Sequence, residues 1–355
     1  VAPQEVTSVI QGYDNATVTE TRTDRPVVAV CGAGTFGRAL LLPALQRVPG
    51  LRLKTLVTER GGAASHVAKK YQFENHSTDF AAVLVDPEID AIIVATPHRL
   101  HAQMVASALD AGKHVFVEKP LCVDEQQLKM VQEAFYRVPS AQSVNLAVGY
   151  NRRHSRHALW AREAFAGRST PMVGHYRISP GFLPPDHWVN DPAEGGGRVI
   201  GEACHFVDLL LFLTGSEPTR VYAERIDASG TAAVSNDNFV ATITFADGSV
   251  GAITYAAVGD RGHSREYFEI FADGKSLTVR DFRRSALHGS GRRRRFVTRG
   301  QDMGYEAELR KFFDIVRCPE HLRIHRNAED QFLSTLATLR LADALRTGKP
   351  TDLVS

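Results

Sequence analysis

The chain has 355 residues, room for two domains at roughly 100–200 residues each, and its 43% apolar and 23% charged content excludes a disordered, collagen-like or coiled-coil protein. Lys plus Arg number 42 and Asp plus Glu 40, a net charge of +2, so no global field draws the molecule to nucleic acid or an anionic membrane. The four cysteines, Cys31, Cys122, Cys204 and Cys318, form no C-x-x-C pair, which argues against a disulfide framework or a metal site and fits a reducing, cytoplasmic setting.

Residues 1–25 are polar and Thr-rich, lack the basic start and apolar core of a signal peptide, and read as a tail or linker. No apolar run is long enough to span a bilayer. From Pro26 short apolar runs alternate with helical periods, the pattern of βαβ units and a doubly wound parallel sheet. Val27–Cys31 is a first buried strand, with a helix from Gly37. Strands are expected at Leu51–Val57, Ile89–Ala95 and His114–Val117, with helices at Ala63–Tyr71, Leu100–Ala111 and Val123–Tyr136, and Ala147–Tyr150 ends this half. We therefore take residues 26–150 as one domain and 151–355 as another.

The second half starts with a helix near His157–Phe165, a strand at Val173–Ile178 and a Pro-rich loop through Pro180, Pro184 and Pro185. The Gly195–Gly197 triplet opens a helix to about Leu213. Alternating strands follow at Arg220–Glu224, Asn238–Phe245, Gly251–Ala256, Tyr267–Ala272 and Ser276–Asp281, with turns at Ala246-Asp247-Gly248 and Ala272-Asp273-Gly274. This reads as a large, mostly antiparallel sheet with helices on one face. Arg292 to Arg295 read as a solvated hairpin loop, the alternative being contact with a nucleotide diphosphate or a polysaccharide. Helices at Tyr305–Val316 and Ala328–Arg346 should pack back across the domains.

Gly32-Ala33-Gly34-Thr35-Phe36-Gly37 is a G-x-G-x-x-G string directly after a buried strand and before a helix. In that context its backbone N–H groups can hold a dinucleotide pyrophosphate. Gly32 permits the tight turn, Gly34 lets phosphate approach, and Gly37 lets helix and strand pack. Glu59, 22 residues after Gly37, is placed to accept from the adenosine ribose of NAD, whereas its neighbour Arg60 would favour the 2′-phosphate of NADP. The carboxylate tilts the reading towards NAD, with NADP kept open.

Two further segments carry chemistry. Glu118-Lys119-Pro120 follows a short apolar strand at the carboxyl edge where open α/β sheets bind ligands, so Lys119 should face the crevice. Glu202, His205 and Asp208 recur every three residues on a helix that is otherwise apolar, where polar groups are costly to bury without partners.

These residues resemble the Gfo/Idh/MocA family, named for glucose–fructose oxidoreductase, inositol dehydrogenase and a rhizopine-catabolism protein. The resemblance runs from Pro26 through nearly the whole chain. It rests on the Gly-rich turn, Val94-Ala95-Thr96-Pro97 with His101, Ala111–Val115 leading into Glu118-Lys119-Pro120, Gly149-Tyr150-Asn151-Arg152-Arg153, and the Gly triplet with His205 and Asp208. It implies an N-terminal Rossmann domain, a C-terminal α/β domain whose open sheet forms a homo-oligomer, and oxidation or reduction of a secondary carbinol on a sugar, cyclitol or nucleotide-sugar. It places Thr96, Pro97, His98, His101, Glu118 and Lys119 at the cofactor. Asn151, Arg153, Tyr176, His187, Trp188, Arg198 and His205 fall around the substrate, although Trp188 could equally be a packing anchor.

Within this resemblance His205 is the expected proton acceptor and Lys119 the polarising cation, with the reverse assignment open. The family's usual aspartate, four residues before the histidine, falls here on Gly201. Glu202 is the expected replacement as partner of His205, against the alternative that it bonds Arg198. The segments Gly181–Trp188 and Gly195–Leu211 look like a branch often fused behind a zinc-alcohol-dehydrogenase-like domain in bacterial polysaccharide gene neighbourhoods. The rival function is a non-catalytic dinucleotide-binding regulator on the same fold.

Overall fold

The computed structural model describes residues 25–59, 61–138, 144–191, 194–227, 229, 235–317 and 324–353. Arg60, Cys318 and the tail before residue 25 lie outside the described residues. Six strands form a parallel sheet: β1 (Val27–Cys31), β2 (Arg52–Val57), β3 (Asn75–Ser77), β4 (Ala91–Val94), β5 (His114–Val117) and β6 (Leu146–Val148). Their order is β3-β2-β1-β4-β5-β6, so chain direction across the sheet reverses between β1 and β4, and a crevice opens beyond their carboxyl ends. β1 and β4 are buried along their whole length, as strands covered by helices on both faces must be. β3 is polar throughout, and the helix Phe80–Val85, capped by Asp79, is an unbroken apolar run of 6 residues, too short to show a helical period.

Nine strands build the second sheet: β7 (Val173–Ile178), β8 (Pro218–Arg225), β9 (Asn238–Phe245), β10 (Val250–Ala256), β11 (Glu266–Ala272), β12 (Lys275–Arg280), β13 (Arg284–Gly289), β14 (Arg292–Val297) and β15 (Thr351–Asp352). The order is β14-β13-β12-β11-β7-β10-β9-β8-β15, antiparallel throughout except for β7 beside β10. One face is buried under the helix Cys204–Thr214, and the other is open. The loop reading of Arg292–Arg295 is corrected: these residues form the outermost strand, paired on one side only, to β13. An edge strand wet on both faces has no apolar alternation to betray it.

The closing helices lock the two halves together. In Tyr305–Arg317, residues Leu309, Phe312 and Phe313 are buried with Leu41, Leu45 and Phe116 of the first domain. The helix Ile324–Thr347 gives Ala328 and Phe332 to that domain's core and Ala337 and Leu341 to the second. Beneath the crevice lies a buried ion pair, Arg152 Nε and Nη2 each 2.8 Å from the Glu266 carboxylate, with Tyr176 donating to the same carboxylate and the guanidinium 5.2 Å over the Phe206 ring.

Burial alone would raise the Glu266 pKa, but Arg152 and Tyr176 hold it below its ordinary 4.5. Removing one partner of such a pair leaves a buried charge unmatched. Glu266→Ala should therefore cost about 3–5 kcal/mol in urea unfolding at neutral pH. A carboxylate whose folded pKa is depressed stabilises above its unfolded value, so the gap between wild type and variant should close as pH falls through the folded pKa.

Candidate active site

The loop after β1 is shaped by backbone constraints. Gly32 N donates to Val57 O at 2.8 Å, its φ is +101°, and a Cβ there would lie 2.2 Å from the Ala95 carbonyl oxygen, so only glycine fits. Gly34 and Thr35 are exposed, Ala33 and Phe36 half-buried. A Cβ on Gly34 would meet no atom within 4 Å, so open space lies over backbone N–H groups at a helix start, the room a pyrophosphate requires. Gly37 begins a π-helical turn, Gly37–Leu41. Its Cβ would make an ordinary 3.7 Å contact, so the expected packing need for glycine at 37 is not borne out. Glu59 is exposed two residues beyond β2.

The next loops are tied by one ring. His101, almost wholly buried, places Nδ1 2.7 Å from the Pro120 carbonyl oxygen and Nε2 2.9 Å from that of Thr96, joining the loop after β4 to the loop after β5. Thr96 and Pro97 precede the helix His98–Asp110. Glu118 is buried, its Oε1 has no hydrogen-bond partner among the described residues, and burial, opposed by Lys119, pushes its pKa up to about 7.

Lys119 crosses between domains. Its Nζ donates to the Gly201 carbonyl at 2.7 Å, within a π-helical turn, Val199–Ala203, that opens the helix carrying His205. Single π turns recur at functional sites. His205 is buried, and its Nδ1 has no partner among the described residues. Burial, followed by the charges of Arg152, Lys119 and Arg265, holds its pKa well below the ordinary 6.5. Its imidazole is neutral at neutral pH and carries a free lone pair.

Other expected site residues are engaged elsewhere. Glu202 does not pair with His205: its Oε2 accepts from Tyr255 at 2.6 Å and from Arg198 at 3.4 Å. The three-residue spacing predicts neighbours on an α-helix, and the π turn shifts Glu202 out of that phase. Arg198 is fixed by the Gly181 carbonyl, Asp237 and Glu202. Arg153 grips Asp208 through two bonds, Asp208 also accepting from Ser334. Asn151 is fully buried and donates to Met303 O at 2.7 Å, and Tyr176 is committed to Glu266. The substrate contacts expected of Asn151, Arg153, Tyr176 and Arg198 are thus replaced by contacts within the protein. By contrast His187 and Trp188 flank the crevice: His187 Nδ1 accepts from Val189 N, and Trp188, 48% exposed, meets the His98 ring edge-on at 5.0 Å.

The motif search missed Arg152, Glu266, Tyr255 and Arg265. Arg152 sits inside a quoted segment but was passed over for its neighbour. The other three lie on or beside strands whose alternation says only which face they occupy.

Comparison with known proteins now bears on this arrangement. Residues 27–149 match the profile of the oxidoreductase family with NAD-binding Rossmann fold, Gfo/Idh/MocA, and residues 166–278 match a C-terminal domain of the same family. The chain belongs to this family. Among relatives, scyllo-inositol 2-dehydrogenase (NAD(+)) of Bacillus subtilis is 28% identical over 310 residues, 81% of this chain and 85% of that protein. Levoglucosan dehydrogenase of Pseudarthrobacter phenanthrenivorans is 26% identical over 295 residues, 73% of this chain and 75% of that one. A solved levoglucosan dehydrogenase in complex with NADH and levoglucosan superposes with a TM-score of 0.77 at 21% identity, over 93% of this chain and all of that one. An oxidoreductase domain protein from Kribbella flavida gives 0.79 at 19% identity, over 94% of this chain. Family membership makes the protein an oxidoreductase with a dinucleotide-binding domain of the Rossmann type.

Gly34→Val should leave the fold intact, because its Cβ has room, and abolish dinucleotide binding by filling the phosphate space. Calorimetric titration with NAD checks this. In the same titration Glu59→Ala should weaken NAD more than NADP, since only NAD presents a free 2′-hydroxyl to the carboxylate.

Proposed function

We propose that the protein oxidises or reduces a secondary carbinol of a sugar, cyclitol or nucleotide-sugar with NAD or NADP, NAD being favoured by Glu59. Residues 26–150 hold the dinucleotide and residues 151–355 the substrate. The observation that carries this reading is the Lys119–Gly201 bond, which brings a cation of the first domain to the helix turn just before His205 of the second, whose Nδ1 has no partner among the described residues. The named activities of the scyllo-inositol and levoglucosan relatives support the substrate class.

When bound, the nicotinamide supplies the hydride acceptor or donor. The chain's own residues handle the proton. Lys119 donates from Nζ to the Gly201 carbonyl and keeps further N–H groups to polarise the substrate oxygen. His205, neutral and with a free lone pair, takes the hydroxyl proton as the hydride leaves. The surrounding cations disfavour a lasting imidazolium, which keeps that proton mobile. Glu202 fixes Tyr255 and Arg198 rather than the imidazole.

The likeness of Gly181–Trp188 and Gly195–Leu211 to the zinc-alcohol-dehydrogenase-fused branch supports, at a finer level, a role in polysaccharide metabolism. The buried free thiols Cys31, Cys122 and Cys204 fit a cytoplasmic setting. No helix among the described residues is long and apolar enough to cross a membrane. We also propose a homo-oligomer through the open sheet face, on which Val250, Val173 and Phe271 are cross-strand neighbours and exposed.

A panel of cyclitols, pyranoses and nucleotide-sugars, followed by nicotinamide absorbance, tests the activity. On the best substrate Lys119→Met and His205→Asn should each lower kcat by roughly 10²–10⁴-fold with cofactor affinity kept, whereas Glu202→Gln should leave the position of the pH–rate profile unchanged. Near-normal turnover in either of the first two would remove that residue from the proton path. For the assembly, light scattering should give a multiple of the chain mass that falls to the monomer in Val173→Glu. A wild type that is already monomeric would end the oligomer reading.

A further inference from the structure

His98 fills a seat that Gly201 leaves open. A Cβ on Gly201 would lie 3.1 Å from His98 Cε1 and 3.7 Å from its Nδ1, so the imidazole occupies the space into which a side chain at 201 would project. The same glycine holds Lys119 through its carbonyl. Lysine and imidazole thus converge on one residue, from which His205 follows a turn later.

The ring is fixed on several sides. Nδ1 lies 2.8 Å from the Gly195 carbonyl oxygen, Trp188 meets one edge, and His101 sits 5.8 Å away between centroids. A carbonyl only accepts, so Nδ1 carries the hydrogen and Nε2 is left with its lone pair. This tautomer is assigned from the hydrogen-bond geometry. Nε2 forms no bond among the described residues, although the ring is only 8% exposed. Burial, then the charges of Lys119 and His101, oppose protonation, partly offset by the Gly195 bond, and hold the pKa down to about 4.

We propose that His98 is a substrate-recognition residue whose Nε2 accepts a hydrogen bond from a hydroxyl of the bound polyol, in the place a side chain at 201 would otherwise take. This rests on the sugar-dehydrogenase reading and deepens it. A neutral acceptor selects a neutral donor. A hydroxyl or amide of the substrate satisfies it, whereas an ionised carboxylate or phosphate would oppose lone pair to lone pair. The exposed Trp188 beside the ring offers an amphipathic aromatic surface for the body of the same ligand.

The test uses the polyol that the wild type oxidises best, together with its singly deoxygenated analogues. His98→Leu, which fills the seat without an acceptor, should raise the KM for the polyol roughly 10–100-fold at saturating NAD. His98→Gln, whose amide can both donate to Gly195 and accept from a hydroxyl, should recover most of that loss. One deoxy analogue should cost the wild type about tenfold or more in kcat/KM and cost His98→Leu almost nothing, a coupling that packing alone does not produce. Equal losses in both proteins for every analogue would overturn the assignment. Should the wild type oxidise no polyol, the sugar reading fails by itself, and NMR of the imidazole nitrogens then judges His98. A hydrogen on Nδ1 with bare Nε2 at neutral pH upholds the acceptor, and a hydrogen on Nε2 overturns it.

Discussion

The bond from Lys119 to the Gly201 carbonyl is the constraint on which the crevice depends. It joins the carboxyl edge of the parallel sheet to the start of the helix under the antiparallel one, so the two domains meet at Lys119 and the turn that precedes His205. The same seam is crossed by His98 on Gly195 and by Arg99 on Glu194 at 2.8 Å. All three contacts land on residues 194–201, so that short stretch sets the spacing between the two domains at the crevice. The closing helices fix the domains from behind, leaving this seam little freedom to slide.

Below the seam a second principle operates, the pairing of buried charge. Arg152 with Glu266, Arg153 with Asp208, and Arg198 with Asp237 are all held away from water. Such pairs add little net stability over apolar packing but are costly to break. Their effect here is to tie Arg152 and Arg153 to β11 and to the helix Cys204–Thr214, and Arg198, just before that helix, to the turn that precedes β9. Arg152 also reaches upward, since its charge helps keep His205 neutral. A framework interaction and the charge state of a neighbouring imidazole are therefore served by one guanidinium.

Much of the fold was legible because burial leaves a period. β1 and β4 read as unbroken apolar runs, and β7, β9, β10 and β11 alternate cleanly. What carries no period stayed hidden: polar β3, arginine-rich β14, two-residue β15, and β13, whose buried residues Ser285, Ala286 and Leu287 run consecutively rather than alternate. In the site, the approach of Lys119 to the helix that carries His205 was legible from motif and position, because it follows from the strand edge and the helix start. Glu202 was misplaced because spacing rules assume an α-helix and this one begins with a π turn. Arg153, Asn151, Tyr176 and Arg198 were misassigned for a different reason. A polar residue near a crevice in sequence order can face it or lie beneath it, and only the partners, Asp208, Met303, Glu266 and Asp237, decide which.

The arginine strand at the sheet's rim bears on how copies of the chain can meet. β14 offers its outer row of backbone groups to solvent, and two such rims approaching each other would bring Arg292, Arg293, Arg294 and Arg295 of both copies together. Like charges concentrated on an edge strand are a means of refusing a further strand. At the opposite rim β15 pairs with β8 over only Thr351 and Asp352, too short to template a neighbour. Lateral growth of the sheet into a fibre is therefore opposed by charge at the arginine rim, whereas the opposite rim is covered over only two residues of β8.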